Sequence, residues 1–593
     1  MRRRTATLAT VATALTLVTT GPLPASHAVP RPPHAPDGAT YPNGYRGVAV
    51  HGGTTAARSN AIGDVLGIMR ESKPLSAVRT KSAAADTHTL TVDLVDRSGA
   101  APRTADAQYV FFRPLDGSTP LYGQAEDGHL TADLPPGEYV VEADVYTPKA
   151  DGTRPLTLVY LPRFVLDRDR TVVLDARLGR PMSIAADRPD ARLTGGDGGG
   201  GLARVVQDIG GKTTTTATVF LDGSPTYVTP SDRAPGLSLL MAGRLTKDGA
   251  VTGSPYIYNV AGDASDQELI PADPVLRVRT ADLAAVRTRY ARQGVPGCAG
   301  THAAALLPGG GFNVGFYAGV GPLPATRTEY FSPGVDWDTD TVVGPADCSF
   351  NEGSTTGVTE HFEHAGAYTR DRTTGPLGPG ADYNAVIGDG TPLFWVPMLS
   401  SWGARSGIAP YDRVTGQTTL QDAGGKVIGT SDQPGYGEFP LPPGQGSYKV
   451  TTDLNRQAPW SDLATRQHVV WTFPAKVPDG DEAAYAPLLS VLYRTPLDDD
   501  NRATPGTQRI ALDARTNGNE PKPTIGRMTV QVSYDNGVIW SDAPVARTAD
   551  GWTATVRNPE GVRGGYVSLR TVAEDTTGRT VDQTIVHAYG LKP

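Results

Sequence analysis

Along most of this chain apolar and polar residues alternate one by one, the period of a strand that buries one face. His88-Thr89-Leu90-Thr91-Val92-Asp93-Leu94-Val95 is the first clear run, and Met528-Thr529-Val530-Gln531-Val532-Ser533-Tyr534 is among the last. Between such runs stand turn formers, drawn from 69 glycines and 50 prolines, so the strands are short and frequently reversed. One turn phrase occurs twice, as Leu134-Pro135-Pro136-Gly137-Glu138-Tyr139 and as Leu441-Pro442-Pro443-Gly444-Gln445-Gly446-Ser447-Tyr448. Its prolines remove backbone donors and its glycine permits positive φ, which suits a tight turn feeding an outer strand. The pattern predicts an all-β protein made of several β-sandwich modules in tandem.

The modules can be placed approximately. Residues 1–28 read as a secretory signal peptide: Arg2, Arg3 and Arg4 precede the apolar, threonine-rich stretch Thr5 to Thr20, and Ser26-His27-Ala28 offers a cleavage site. Residues 29–86, rich in Pro, Ala, Gly and Ser, read as a flexible leader in which Ala61 to Glu71 could form a short helix. Residues 87–180 are expected to form a first β-sandwich, one that resembles carboxypeptidase-regulatory modules, and 181–201 a Gly-rich linker. Residues 202–409 are a middle β-rich region whose best helical candidate is Asp282 to Gln293. A further β module is expected over 410–483, and an immunoglobulin- or fibronectin-like sandwich without an intradomain cysteine pair over 484–593.

Composition narrows the function. The formal net charge is −8, charged residues make up 20% of the chain, and no run of Lys or Arg follows the leader. A nucleic-acid or anionic-membrane surface needs a concentrated basic patch, so neither partner is expected. No second apolar run approaches the ~20 residues that span a bilayer, and no anchor signal precedes Leu591-Lys592-Pro593. The mature protein is therefore expected to be free outside the cell. There the only cysteines, Cys298 and Cys348, should pair, closing a loop that stabilises by about 4 kcal/mol.

Chemistry-bearing motifs are few. Ser533-Tyr534-Asp535-Asn536-Gly537-Val538-Ile539-Trp540 resembles the Asp-box hairpin of sialidases, in which the Asp caps a turn, the Gly takes a left-handed conformation and the Trp anchors the hairpin. A single copy reads as a structural hairpin. His51-Gly52-Gly53-Thr54 and Gly429-Thr430-Ser431 resemble fragments of the histidine and serine motifs of subtilisin-like peptidases. His51, however, lies in the leader, and Asp432 follows Ser431 where that family begins the helix bearing its nucleophile. Glu360-His361-Phe362-Glu363-His364 groups metal-ligand types without the i, i+4 spacing of a zinc helix, so a solvent-facing loop is favoured. Asp336, Asp338 and Asp340, and the run Asp498-Asp499-Asp500-Asn501, offer hard oxygen ligands to a structural Ca2+, with ordinary acidic turns as the favoured reading. Trp395, Trp402, Trp460, Trp471, Trp540 and Trp552 are expected in cores or interfaces, while an exposed Trp/Tyr platform would suggest carbohydrate binding.

Several phrases together resemble the long non-catalytic region that follows the peptidase domain in large secreted subtilisin-like serine peptidases of actinobacteria. They are Leu90-Thr91-Val92-Asp93 with the Pro-Pro-Gly turn, Arg327-Thr328-Glu329-Tyr330, Ala458-Pro459-Trp460-Ser461, Trp471-Thr472-Phe473, the strand from Pro487 to Tyr493, and Val532-Ser533-Tyr534-Asp535-Asn536-Gly537 followed by Gly551-Trp552-Thr553-Ala554. The resemblance implies accessory β modules without the α/β peptidase domain that carries the triad. No catalytic, cofactor-binding or metal residue is carried over. The expected work is non-catalytic association with an extracellular protein or a wall polysaccharide. The competing expectation is a secreted hydrolase, peptidase-related or glycan-active, whose residues converge in the middle region.

Overall fold

In the computed structural model the described residues are 73–592, except 76–86, 105–108, 196–199, 222–224, 310–313, 350–352, 381–384, 389–392, 404–405, 409–412, 440, 442–443, 478–482, 517–520, 550 and 561–564. The signal peptide, His51, the Ala61 to Glu71 segment and the second pair of prolines at 442–443 lie outside them. Among the described residues, strands dominate and helical structure is confined to single turns such as Ala176–Leu178 and Thr280–Asp282. The all-β, tandem-sandwich architecture is thus as the alternation predicts.

In the first sandwich, His88–Val95 is central between His129–Leu134 and Arg170–Asp175, opposite a sheet containing Leu121–Gln124, Tyr109–Pro114, Gly137–Tyr146 and Leu156–Leu166. Leu90, Val92 and Leu94 point inward, their polar neighbours outward. The end of the expected leader joins this sheet, because Lys73–Pro74 pairs in parallel with Leu121 and Tyr122. The expected linker over 181–201 is also built into sheets: Ser183–Ala186 pairs with Val275–Val278, and Ala191–Leu193 with the strand Ser238–Lys247. Met182, Ile184 and Ala191 are buried there. Only the glycines after Leu193 have a linker's composition, and 196–199 lie outside the described residues.

The middle sandwich stacks an eight-stranded sheet on a five-stranded one. Its expected helix is a strand: Ala284–Tyr290 pairs with Ala325–Phe331 and Gly366–Arg372. Ala284, Val286, Thr288 and Tyr290 are buried and the residues between them are not. The alanines and arginines favour a helix locally, but a helix would scatter those inward residues around its circumference, and packing overrides propensity. Cys298 and Cys348 form the expected disulfide.

The last core begins earlier than residue 410. A single apolar cluster runs from Leu377, Phe394 and Met398 through Leu420 and Trp471 to Tyr589 and Leu591. No sheet boundary falls at 483 either. Strands 490–494, 506–515, 551–558 and 545–548 form one sheet in the order of an immunoglobulin-type ABED layer. Its partner layer, strands 580–591, 566–575, 525–533 and 541–543, continues beyond Thr580–Leu591 into Arg466–Val477, Gly444–Arg456, Val414–Asp422 and Val427–Ser431. The two expected modules therefore share one nine-stranded sheet.

Candidate functional site

Charged residues in the middle region gather inside the sandwich. One half of its core is apolar, with Ala242, Val286 and Phe331 meeting Phe316, Trp337 and Phe362. The other half is ionic. Glu329 accepts from Arg327 Nε at 2.8 Å, from Arg370 and from the Tyr290 hydroxyl. Glu360 accepts from Thr339 Oγ1 at 2.9 Å, from Arg372 at 2.8 Å and from Arg370. Arg244 donates to Asn259 Oδ1 at 2.8 Å and to the Thr301 carbonyl at 2.6 Å. Burial alone would push the Glu329 carboxyl upward, but the guanidinia of Arg370 and Arg327 outweigh it and hold the group far below the usual carboxylate range. Burial lowers Arg244 to about 9. With Glu329 only 1% exposed and enclosed by cations, this network is suited to fastening two sheets, not to exchanging protons with a substrate.

The segment Glu360 to His364 is consequently split. Glu360 turns into the ionic core, His361 lies on the other face with Nδ1 2.7 Å from Asp336, and His364 faces solvent. Asp338 accepts from Thr359 Oγ1 at 2.6 Å. Trp395 pairs across a short ladder with Tyr436, and the turn after Trp402 gives its Gly403 carbonyl to Arg372. No metal-binding group of three or more such side chains occurs among the described residues. In the run Asp498 to Asn501 the carboxylates meet cations: Asp498 faces Lys592, Asp499 faces Arg289 and Asp500 faces Arg292. Ser431 ends an outer strand, and its hydroxyl accepts the Gln433 amide. Trp460 and Trp471 are core residues, whereas Trp540 and Trp552 are half-buried.

A more accessible arrangement lies on the outer face of the nine-stranded sheet. Strict alternation sends Leu454, Val469, Trp471, Val581 and Ile585 inward, so the intervening polar residues of four adjacent strands emerge side by side. Asp453 of Gly444–Arg456 holds His468 of Arg466–Val477 at 2.7 Å. Asp582 of Thr580–Leu591 receives Arg570 of Tyr566–Asp575 through two bonds, of 2.7 and 3.0 Å. These pairs line an open groove of about 530 Å³.

The hairpin that resembles an Asp-box closes one side of this groove. Asp535 Oδ1 accepts from Ser533 Oγ at 2.7 Å and from the amides of Val538 and Ile539 at 3.1 and 2.9 Å. Those bonds hold its carboxyl below the usual range. Asn536 and Gly537 take φ of 64° and 86°, the left-handed conformation that short polar residues and glycine accept most readily. Trp540 Nε1 donates to the Gly537 carbonyl at 3.0 Å, and its ring lines the groove together with Asn536 and Gly537. Arg466 donates to the Asn536 carbonyl, and His587 bonds the Asn536 side chain while stacking on Tyr566 at 4.1 Å. Val538 and Ile539 remain 77% and 69% exposed at the tip. The sequence pointed to the hairpin but not to the groove. Asp453, His468, Arg570 and Asp582 are ordinary polar positions of separate strands, and only strand order brings them together.

Fold and groove together define a class: a tandem β-sandwich protein whose accessible polar chemistry lies on a sheet face. No family model matches the chain, and no curated protein matches it. Among solved structures it overlaps the Bacillus anthracis TIE protein at 11% identity, over 69% of this chain and 75% of that one, with a TM-score of 0.12. It overlaps E. coli alpha-2-macroglobulin at 10% identity, over 86% of this chain and 38% of that one, also at 0.12. The four N-terminal Ig domains of Dscam1 overlap at 11% identity, over 70% and 97% of the respective chains, at 0.10. Likenesses this faint carry no argument about activity.

Proposed function

We propose that this is a secreted, non-catalytic binding protein that associates with extracellular polysaccharide through the outer face of its nine-stranded sheet. One observation carries the reading: four strands and a rigid hairpin bring carboxylate, guanidinium, imidazole and indole groups to one open groove. Polysaccharide recognition calls for that mixture of paired polar groups and an aromatic surface. The hydrolase reading has less support, because Glu360, the buried carboxylate of the expected cluster, is held by Arg370 and Arg372. Association with a secreted protein is the second reading, favoured by the exposed pair Val538 and Ile539. Relationship to peptidase accessory regions belongs to the same proposal, since those modules would serve to attach rather than to cut.

Co-sedimentation of the purified mature protein with insoluble wall polysaccharides, beside pull-downs from culture supernatant, tests the proposal. Retention on a polysaccharide is expected. A protein that stays in solution with every polymer and captures no secreted partner would refute it. Intact-mass measurement of the exported protein should place its first residue at Val29, and an unprocessed Met1 terminus would contradict secretion by this leader.

A further inference from the structure

Resting on the reading of the groove as a polysaccharide surface, we infer that its ligand is a neutral, hydroxyl-rich glycan and not a polyanion. The lining charges answer one another across the groove. Asp453 is hydrogen-bonded to His468, and Asp582 is paired with Arg570. Arg466 is the further cation, directed at a backbone carbonyl of the hairpin. Setting the His468 imidazole aside, the two carboxylates and two guanidinia of the lining sum to zero. A polyanionic chain lying here would approach Arg466 and Arg570 but also Asp453 and Asp582, whose side chains are 57% and 29% exposed. In a water-filled groove, contacts of either sign at similar distances are comparably weak, so attraction and repulsion cancel.

A neutral glycan escapes that cancellation. Its hydroxyls both donate and accept, so neighbouring hydroxyls can give to Asp453 or Asp582 and take from Arg570 or Arg466. The hydrogen bonds between adjacent strands already hold these side chains in place, and Asp535 fixes the hairpin, which reduces the ordering cost of binding. The Trp540 ring at the groove wall supplies the apolar surface that the C–H face of a sugar ring requires. Such binding depends little on salt, because no counterions are released.

Isothermal titration of the full mature protein tests this, with soluble β-glucan, galactomannan and starch as neutral probes and polygalacturonate as the anionic one, each at low and high NaCl. Binding of a neutral polymer is expected to change less than about twofold with salt and to fall at least about tenfold, 1.4 kcal/mol, in Trp540→Ala. Asp453→Asn, on the exposed face and remote from the core, should weaken it as well; thermal unfolding of both variants separates lost binding from lost folding. Preference for polygalacturonate, abolished by salt, would overturn the neutral ligand while leaving polysaccharide association standing. Neutral binding indifferent to both variants would overturn the groove. Failure to bind any of the polymers would overturn the underlying reading itself.

Discussion

Asp96, Asp422, Asp498 and Asp575 repeat one device at strand reversals. In each, Oδ1 accepts the amides two and four residues ahead, at 2.8–3.0 Å. Backbone donors that the reversal removes from the ladder are satisfied this way. Among the acidic residues that could have offered calcium ligands, Asp498 is such a turn cap, Asp499 and Asp500 meet arginines, and Asp336 and Asp338 stand on a strand beside His361 and Thr359. Glycine behaves less uniformly than the repeated Pro-Pro-Gly phrase suggests: Gly444 takes φ of 100°, whereas Gly137 stays outside the left-handed region and the Tyr139 hydroxyl bonds back to Pro135. The most consequential single side chain is Glu329. Glu329→Gln removes the charge that compensates Arg327 and Arg370 in a buried setting, and stability should drop by about 3–5 kcal/mol. Because the folded-state pKa lies below the unfolded value, the carboxylate's contribution is complete at neutral pH and is lost as pH falls through the folded value. The deficit of the variant, read as the shift in urea midpoint from pH 7 to about pH 3, should thus narrow on acidification. An equal deficit at every pH would show that the charge is not what stabilises.

Strands were legible where one face is apolar, because a period of two survives any sequence noise between Leu90 and Leu94 or between Val530 and Val532. Ala284–Tyr290 was not, since its inward face includes Thr288 and Tyr290, polar side chains that meet the ionic core. The groove was invisible for a related reason: its residues lie on the solvent side, where nothing constrains the sequence pattern. The disulfide was legible from two cysteines alone. It ties the start of Cys298–Ala305, the strand bearing Thr301 against Arg244, to the loop after Asp336–Gly344. Cys298→Ser should lower stability by about 4 kcal/mol, since Cys298 is fully buried and the bond spans a sequence separation of 50. The proposed polysaccharide binding should be unchanged, because the groove belongs to another sandwich; differential scanning calorimetry beside titration checks both halves of this expectation.

At the scale of the whole molecule, sequence boundaries and structural units diverge because hydrogen-bonded sheets ignore the turn-rich stretches that look like linkers. Residues 466–472 pair with 580–586 in an unbroken ladder, and the polar groove lies across that junction. Arg292, Asp500 and Asn501 join the same unit to the middle sandwich: fully buried Asn501 accepts the Gly375 amide at 2.8 Å and donates to the carbonyls of Arg292 and Thr373. A fragment starting at residue 484 would leave the outermost immunoglobulin-type strand as a bare edge and expose inward residues that Leu377, Phe394 and Trp471 now cover. Such a fragment should unfold at lower temperature than one starting at residue 376, with a broader transition and a tendency to aggregate. The longer fragment keeps the nine-stranded sheet and should unfold in one cooperative step. Circular dichroism melts with light scattering distinguish the cases, and equal midpoints would mean that the shared sheet joins two independently stable modules.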